Sequence, residues 1–171
     1  GFIDIGYEKD AFLHYLDLGP QVQSLNKFTK LIQSKKEIST KLIGFRNETD
    51  IDKFGKIGQV LTKNQNVLVQ VVKEPISTKG PRLSCELSIA GRYLVLVPFS
   101  NAVNVSKKIG NSNERKRLAR LISSIKPENF GVIIRTVASG RDVKELDTDL
   151  QNLVQIWQRG IEKLKRSKSK D

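Results

Sequence analysis

The chain has few of the residues from which most catalytic centres are built. Among its 171 residues are one cysteine, Cys85, one histidine, His14, one tryptophan and no methionine. A lone cysteine cannot form an intramolecular disulfide, and one His with one Cys completes neither a tetrahedral zinc site nor a Ser-His-Asp triad. These absences exclude an intramolecular disulfide, a Cys/His zinc site and most of the familiar catalytic constellations.

Long hydrophobic runs are missing as well. No apolar segment approaches the roughly 20 residues that span a bilayer, and no charged-then-apolar leader opens the sequence. We therefore expect no membrane partner and a reducing, cytoplasmic location. Because the chain lacks an initiator methionine and opens directly on an alternating segment, we also expect it to be a fragment of a longer protein.

Positive charge is in excess, and the excess lies in one part of the chain. The sequence carries 30 Lys and Arg against 18 Asp and Glu, a formal net charge of +12. Residues 1–52, 53–141 and 142–171 have net charges of −1, +12 and +1, so the middle segment accounts for all of it. Such a field attracts polyanions such as nucleic acids, although a basic face can also serve solubility alone.

The first part of the chain has the pattern of an antiparallel β barrel or sandwich. Short alternating segments at 2–7 and 11–16 predict two neighbouring strands, and the β-branched run 66–73 predicts a buried strand. Apolar residues recur at helical spacing from Val22 to about residue 36, and residues 37–58 are typical of a loop-rich insertion.

A glycine separates this region from a mixed α/β one. The segments RLSCELSIA and RYLVLVP predict a pair of strands interrupted at Gly91, which is the natural domain boundary. The domains expected are residues 1–90, with an insertion at about 21–58, then residues 91–165, then a frayed tail at 166–171.

The second domain is predicted to contain two amphipathic helices and a buried strand. The first helix covers 114–125, with Ser112 or Asn113 as its cap and Arg115 among the basic residues of its outer face. The strand covers 131–137, and a long helix begins near residue 142. That helix has an apolar face, which either packs within the chain or docks a protein partner. The face comprises Val143, Leu146, Leu150, Leu153, Trp157, Ile161 and Leu164.

Two phenylalanines form the first candidate binding feature. Phe2 and Phe12 flank a tight turn on the predicted neighbouring strands, an arrangement that can put both rings on one face. Bases stack on such rings at about 1–3 kcal/mol each, as they do on OB folds. The alternative is that both are core residues, since Phe is more often buried than exposed. Lys79, in the turn before the next strand, can reach a phosphate, although surface turn lysines are common.

The second candidate is an Arg-Thr pair at the end of the predicted buried strand. Arg135 needs an anionic partner there, because an unpaired buried charge is strongly unfavourable. Its planar fork and the Thr136 hydroxyl suit a terminal phosphate, and an internal salt bridge to Glu86 or Glu128 is the alternative. Lys107, in a polar loop, could add charge to the same pocket.

The acidic residues do not predict a metal site. Asp142, Asp147 and Asp149 fall in the first half of the final helix, where they favour the helix dipole. Asp147 and Asp149 are two residues apart and so do not share a helix face. We expect no metal, no cofactor and no catalytic activity in this chain itself.

Specific motifs resemble those of a known family. The opening GFIDIGYEKDAFLHYLDL resembles the start of the OB-fold RNA-binding module of the bacterial ribonuclease E/G family. The stretches STKGPRLSCELSIAGRYLVLVPF, VSKKIGNSNERKRL and FGVIIRTVASGRDVKELDTDL are similar to the end of that module and to the adjoining 5′-sensor domain. The resemblance extends to about Lys165 and is weakest at 21–58.

The resemblance implies a fold, an activity and partners. The fold is α+β: a five-stranded OB-type β-barrel lacking its first strand, an inserted helical and loop segment, and a small α/β sensor domain with a long C-terminal helix. The parent would be an Mg²⁺-dependent endoribonuclease that cuts single-stranded, 5′-monophosphorylated RNA in RNA processing and decay. It would be a homo-oligomer linked through zinc, with its nuclease domain and zinc-binding cysteines C-terminal to this fragment.

The resemblance also assigns two sets of residues. The positions that contact RNA on the OB surface match Phe2, Phe12 and Lys79. In the sensor, Arg135 and Thr136 match the 5′-phosphate ligands, and Gly91 and Val95 match contacts to the terminal nucleotide. Lys107 stands where arginine is usual, so the charge is kept but the bidentate fork is lost.

Overall fold

The computed structural model covers residues 1–171 and contains four α-helices and two four-stranded sheets. The predicted α+β class is therefore confirmed. The chain divides into two units: unit 1 is Gly1–Ile38, Arg46–Leu87 and Lys163–Asp171, and unit 2 is Ser39–Phe45 and Ser88–Glu162. No helix combines the length and the apolar character that crossing a membrane requires.

Unit 1 is built on a sheet of short strands in the order β1-β2-β4-β3. The strands are β1 Phe2–Ile3, β2 Ala11–Phe12, β3 Gln70–Lys73 and β4 Arg82–Ser84. β1 pairs antiparallel with β2, β2 pairs parallel with β4, and β3 pairs antiparallel with β4. β1 and β3 are the edges of this sheet, which is open and has four strands. The closed five-stranded OB-type barrel is not seen in it and stays a prediction.

Three strand predictions in unit 1 are corrected. The segments 2–7 and 11–16 pair only over two residues each, and the second continues into a 3₁₀ turn, Tyr15–Leu18, which His14 Nδ1 caps by accepting from the Leu16 N–H. The run 66–73 pairs only over its last four residues, and these are exposed rather than buried. Their exposure follows from the position of β3 at a sheet edge.

The helix of unit 1 is present as α1 Val22–Gln33, and its apolar positions face inward as predicted. Leu25, Phe28 and Ile32 are at most 3% exposed. Fully burying each such side chain contributes about 1.5–3 kcal/mol. The insertion after α1 lacks regular structure up to a short helix, α2 Ile57–Val60.

Unit 2 contains a sheet in the order β5-β6-β8-β7 and two longer helices. Its elements are β5 Ile89–Ala90, β6 Leu94–Pro98, β7 Val103–Val105, α3 Ser112–Ile125, β8 Phe130–Ile134 and α4 Val143–Leu164. β6 and β8 run antiparallel, whereas β7 and β8 run parallel. The chain therefore leaves β7 and β8 at the same end of the sheet.

The two central strands of unit 2 alternate between a buried and an open face. Leu94 and Leu96 on β6, like Val132 and Ile134 on β8, are at most 1% exposed. α3 and α4 supply the opposing core residues Leu118, Ile122, Leu146, Leu150, Leu153 and Trp157. The apolar face of α4 thus packs within the chain, which removes the main support for its use as a docking face. Two residues of that face are not buried: Val143 is 50% exposed, and Leu164 is half-buried.

Several boundaries in unit 2 also differ from the sequence predictions. RLSCELSIA is not one strand, because its first three residues form β4 of the first sheet and its last two form β5 of the second. The cap of α3 is Asn111, whose side chain accepts from the Glu114 N–H, rather than Ser112 or Asn113. The strand predicted at 131–137 ends at Ile134.

Part of the insertion is anchored in unit 2 by polar contacts. Asn129 is 4% exposed, and its Nδ2 donates to the carbonyls of Leu42 at 3.0 Å and Phe45 at 2.8 Å. Trp157 Nε1 donates to the Thr40 carbonyl at 2.8 Å. These bonds satisfy backbone oxygens of a segment without secondary structure, which explains why residues 39–45 can lie against the core.

Candidate nucleic-acid interface

The two phenylalanines meet on the open face of the first sheet. Phe2 and Phe12 are direct cross-strand partners, and their ring centroids lie 5.6 Å apart in an edge-to-face arrangement. Phe2 is 74% exposed and Phe12 is 45% exposed. The alternative that they are core residues is therefore wrong. The His14 ring lies 6.3 Å from that of Phe12 and enlarges the exposed aromatic surface.

The cross-strand pairs that begin with Phe2 and Phe12 continue across the sheet to two basic residues. Phe12 pairs with Arg82 across β2 and β4, and Arg82 pairs with Lys73 across β4 and β3, where the register shifts between Val71 and Lys73. Directly paired residues point to the same face of a sheet. Arg82 is neutralised by Asp17 through bonds of 2.9 and 3.1 Å, which also raise the pKa of Arg82. Lys73 is left as the unpaired charge of this row.

Lys79 lies in a tight turn beside the turn that joins β1 and β2. Its backbone N–H donates to the Ile76 carbonyl at 3.0 Å, and its side chain is exposed. Lys9 Nζ donates to the Thr78 carbonyl at 3.1 Å, and a Cβ on Gly80 would lie 2.5 Å from the backbone oxygen of residue 10. The close approach of the two turns brings Lys79 to the end of the sheet where the aromatic strands are connected.

The second candidate set lies at one end of the sheet in unit 2. Ser106 and Lys107 follow β7, and Arg135 and Thr136 follow β8. Since β7 and β8 are parallel neighbours, the four residues emerge side by side. The hydroxyls of Ser106 and Thr136 are hydrogen-bonded at 2.8 Å. The structure thus brings together residues that are about thirty positions apart in sequence.

Arg135 is exposed and is held by backbone carbonyls rather than by an acid. Its Nη1 donates to the Gly91 carbonyl at 2.7 Å and to the Arg92 carbonyl at 3.2 Å. The expectation of a buried charge is wrong, and neither Glu86 nor Glu128 pairs with it. Nε and Nη2 donate to no protein atom, so the outer edge of the guanidinium is available to an anion.

A carboxylate that the sequence interpretation had assigned to the helix dipole supports the turn beneath Arg135. The turn joins β5 to β6. Asp149 of α4 accepts from the N–H groups of Arg92 at 3.1 Å and of Tyr93 and Leu94 at 2.9 Å each. A Cβ on Gly91 would lie 2.7 Å from both carboxylate oxygens, so a larger residue there would displace them.

Lys107 lies in a loop whose backbone is held by Arg115, a half-buried residue of α3. Arg115 donates through Nη1 to the carbonyls of Ser106 at 2.5 Å and Ile109 at 3.3 Å, and through Nη2 to Val105 at 3.3 Å. Arg115 therefore faces the loop instead of the outer face of the helix, which corrects the sequence prediction. The Lys107 side chain is exposed and forms no ion pair.

The start of α3 fixes the segment that follows Thr136. Glu114 accepts from Arg117 at 2.7 and 2.9 Å and from the Gly140 N–H at 2.9 Å. These bonds, led by the one from Arg117, lower the pKa of Glu114 to about 2. Arg117 also donates to the Arg141 carbonyl at 2.8 Å.

Further cations surround the turn that Arg135 contacts. The guanidinium carbons of Arg92 and Arg141 lie 5.2 and 5.5 Å from the ring centroid of Tyr93, both within cation–π range. Val95 is set back from this group, in the middle of β6. It pairs with Ile133, which lies two residues before Arg135 on β8. Val95 is therefore the one residue of the predicted 5′-phosphate site that does not lie at this end of the sheet.

The comparisons with known proteins cover nearly the whole chain. It is 32% identical over 169 residues to Ribonuclease G of Escherichia coli (strain K12), a match that covers 99% of this chain and 31% of that protein. It is 37% identical over 158 residues to Ribonuclease E of Synechocystis sp., covering 92% of this chain and 19% of that protein. A model of the Ribonuclease E/G family matches residues 88–171. This chain belongs to the ribonuclease E/G family.

The chain spans less than a third of the length of these ribonuclease E/G relatives. A third relative, Ribonuclease G of Haemophilus influenzae, is 33% identical over 162 residues, covering 95% of this chain and 29% of that protein. Each match extends through unit 1, although the family model begins only at residue 88.

Metal ligands are not assembled anywhere in this ribonuclease E/G chain. No group of three or more His, Cys, Asp or Glu side chains could hold a metal ion. The Mg²⁺ and zinc that the resemblance implies therefore do not fit a ligand set here. Cys85 is buried, and burial raises its pKa to about 12, so its thiol is not a reactive nucleophile at neutral pH.

Sequence reasoning missed two residues of this region, Asp149 and Arg115. Asp149 bonds to a turn 55 to 57 residues earlier, and no local spacing connects the two. A signal was available for Arg115, because only one face of an amphipathic helix is fully solvated and Arg115 precedes the buried Leu118 by three positions.

Proposed function

We propose that this chain is the RNA-recognition part of a single-strand-specific endoribonuclease. In this proposal, unit 1 binds single-stranded RNA and unit 2 binds its 5′-monophosphate. The observation that carries it is Arg135, which has two guanidinium nitrogens without a protein acceptor and leaves the sheet at the same end as Ser106, Thr136 and Lys107. The relatives named Ribonuclease G and Ribonuclease E support an RNA-processing parent.

The donors around Arg135 match the chemistry of a terminal phosphate. Nη1 is engaged by two carbonyls, which leaves Nε and Nη2 as the fork that a phosphate accepts from in bidentate fashion. Thr136 and Ser106 supply hydroxyls, and Lys107 supplies a mobile charge. A phosphate monoester carries about −1.5 to −2 charge at neutral pH, more than an internal phosphodiester, so these donors favour the chain terminus.

The domain assignment and the remaining contacts follow from the same proposal. Residues 1–90 would form an OB-type RNA-binding domain and residues 91–165 a 5′-sensor domain. Gly91 and Val95 would contact the terminal nucleotide: the Gly91 carbonyl accepts from Arg135, and Val95 lies further along β6, opposite Ile133.

In unit 1, RNA would be held by stacking and by charge. Phe2 and Phe12 expose enough ring surface for bases to stack at about 1–3 kcal/mol each. Lys79 and Lys73 have no ion-pair partners and would contact phosphates. Stacking accepts any base, so we expect this surface to bind RNA with little sequence preference.

Catalysis is proposed to belong to other residues of the parent. The parent would be a cytoplasmic, homo-oligomeric hydrolase in which Mg²⁺ serves cleavage and zinc links subunits. Neither ion is assigned to this chain, since its acidic residues and its one cysteine form no ligand set.

The proposal is tested by titrating the 171-residue chain with two fluorescent RNA oligonucleotides that differ only in a 5′-monophosphate or a 5′-hydroxyl. Charge-assisted hydrogen bonds of about 1.5–3 kcal/mol predict a preference of about 10- to 100-fold for the monophosphate. Arg135→Ala should remove the preference, whereas Arg159→Ala, an exposed arginine of α4, should keep it. Equal affinity of the unmodified chain for both RNAs would refute the sensor function.

A further inference from the structure

We propose that Asp149 is a positioning residue for 5′-phosphate recognition: it fixes the Gly91–Leu94 turn, and the turn fixes the guanidinium of Arg135. This inference rests on the proposed sensor function of unit 2. It assigns a role to a residue that bonds to the turn rather than to Arg135 itself and that lies on α4, far from the turn in sequence.

The first step is the concentration of backbone donors on one carboxylate. Three successive N–H groups, those of Arg92, Tyr93 and Leu94, donate to Asp149 at 2.9–3.1 Å. Successive N–H groups that converge in this way form an anion-binding concavity, which here is filled by a side chain of the protein. Hydrogen bonds to an ionised acceptor are about twice as strong as neutral ones. The conformation of the turn therefore depends on this carboxylate.

The second step is that Asp149 and Arg135 bind the same two peptide groups. The Gly91 carbonyl and the Arg92 N–H belong to one peptide unit, and the Arg92 carbonyl and the Tyr93 N–H belong to the next. Arg135 donates to both oxygens, and Asp149 accepts from both N–H groups. Because neither peptide bond is cis, each unit presents its N–H and its C=O on opposite sides.

The consequence is a chain of hydrogen bonds from a carboxylate through two peptide units to a guanidinium. Bonds arranged in series polarise one another, so the negative charge of Asp149 strengthens the carbonyl acceptors that hold Arg135. With Nη1 fixed, Nε and Nη2 are held in one orientation before a ligand arrives. A free arginine would lose substantial side-chain entropy on binding phosphate, and this arrangement removes part of that loss.

The experiment compares Asp149→Asn with Asp147→Asn in the same RNA titrations. The asparagine amide keeps the shape of the side chain but offers one acceptor oxygen in place of two and brings an NH₂ group toward backbone donors. Asp147 is a matched control, since it is another half-buried acid of α4 and bonds only to Gln151 at 3.4 Å.

We expect Asp149→Asn to lower the ratio of monophosphate to hydroxyl affinity by about tenfold, because small misplacements of a binding group cost factors of this size or larger. The affinity for 5′-hydroxyl RNA should change little, and Asp147→Asn should keep the ratio of the unmodified chain. A folded Asp149→Asn variant with an unchanged ratio, or one that weakens both RNAs equally, would overturn the positioning role.

The two proposals fail in different ways. If the unmodified chain shows no preference, the sensor function itself fails; if it shows one that Arg135→Ala removes and Asp149→Asn does not, only the positioning role fails. Amide hydrogen exchange in the unmodified chain gives a test that needs no variant. The amides of Arg92, Tyr93 and Leu94 should exchange slowly, and rapid exchange of the first two would contradict the proposal.

Discussion

The two candidate surfaces of this chain are built in opposite ways. The surface of unit 1 consists of exposed rings and two lysines without ion-pair partners, on strands of two to four residues and an adjoining turn. In the site of unit 2, Asp149 and Arg115 bond to the backbone of the turn and loop that carry it, and the central strands of its sheet bury one face. Stacking tolerates loose placement, whereas a phosphate is distinguished only by donors that are already oriented.

The largest expected effect is a loss of stability in the core of unit 2, which supports the candidate phosphate site. Phe130→Ala removes a fully buried ring that packs edge-to-face on Trp157 in unit 2. We expect the free energy of unfolding of this unit to fall by about 3–5 kcal/mol, measured by urea denaturation with Trp157 fluorescence. Phenylalanine at 54, which is 84% exposed, provides the control: Phe54→Ala should change stability little. A loss below about 1 kcal/mol for Phe130→Ala would contradict a tightly packed core.

A smaller effect is expected from a substitution in the turn between β5 and β6, which leaves the core of unit 2 unchanged. Gly91→Ala would bring a Cβ to 2.7 Å from both Asp149 oxygens, and overpacking of this kind costs about 1–3 kcal/mol. We expect a lower melting temperature and a reduced preference for 5′-monophosphate RNA. Gly110→Ala is the control, because nothing lies within 4 Å of its added carbon. Equal behaviour of the two variants would argue against a close-packed turn.

A change of similar or smaller size tests the aromatic surface. Phe2→Ala removes an exposed ring, so we expect RNA affinity to fall by about 1–3 kcal/mol per lost stacking contact with little change in stability. The loss should be the same for 5′-monophosphate and 5′-hydroxyl RNA, in contrast to Arg135→Ala. If Phe2→Ala lowered the affinity for only one of the two RNAs, the aromatic surface would not bind RNA independently of its 5′ end, contrary to the proposal.

The smallest expected effect concerns pH and again distinguishes unit 2. The folded pKa of Glu114, about 2, lies below its ordinary value of 4.5, so the ionised form stabilises the folded state. This contribution is complete above about pH 4.5 and is lost as the pH falls through about 2. Glu114→Gln should therefore lower the melting temperature slightly at neutral pH, and the difference should shrink as the pH falls and vanish below about pH 2. A difference that persists there would exclude the carboxylate as its source.

Some features were predictable because their signals are local. The helical spacing of Leu118 and Ile122, and of Leu146 through Trp157, depends only on residues three and four apart, and both helices are present. The strand-end position of Arg135 was also predicted, although its partners were not. The burial of 66–73 was predicted wrongly, since β-branched residues indicate a strand but not whether the strand lies at a sheet edge.

The α+β class, the resemblance to the ribonuclease E/G family, the basic middle segment and the candidate stacking and phosphate-binding residues all follow from the amino-acid sequence. Which of these groups meet is visible only in three dimensions: Phe2 and Phe12 share an exposed face, and Arg135 and Asp149 bond to the same turn. The reason is physical. Periodicity reflects interactions between residues that are close together along the chain. Strand pairing and hydrogen bonds to a distant helix depend on the spatial order and register of the strands, which bring together residues that are far apart in sequence.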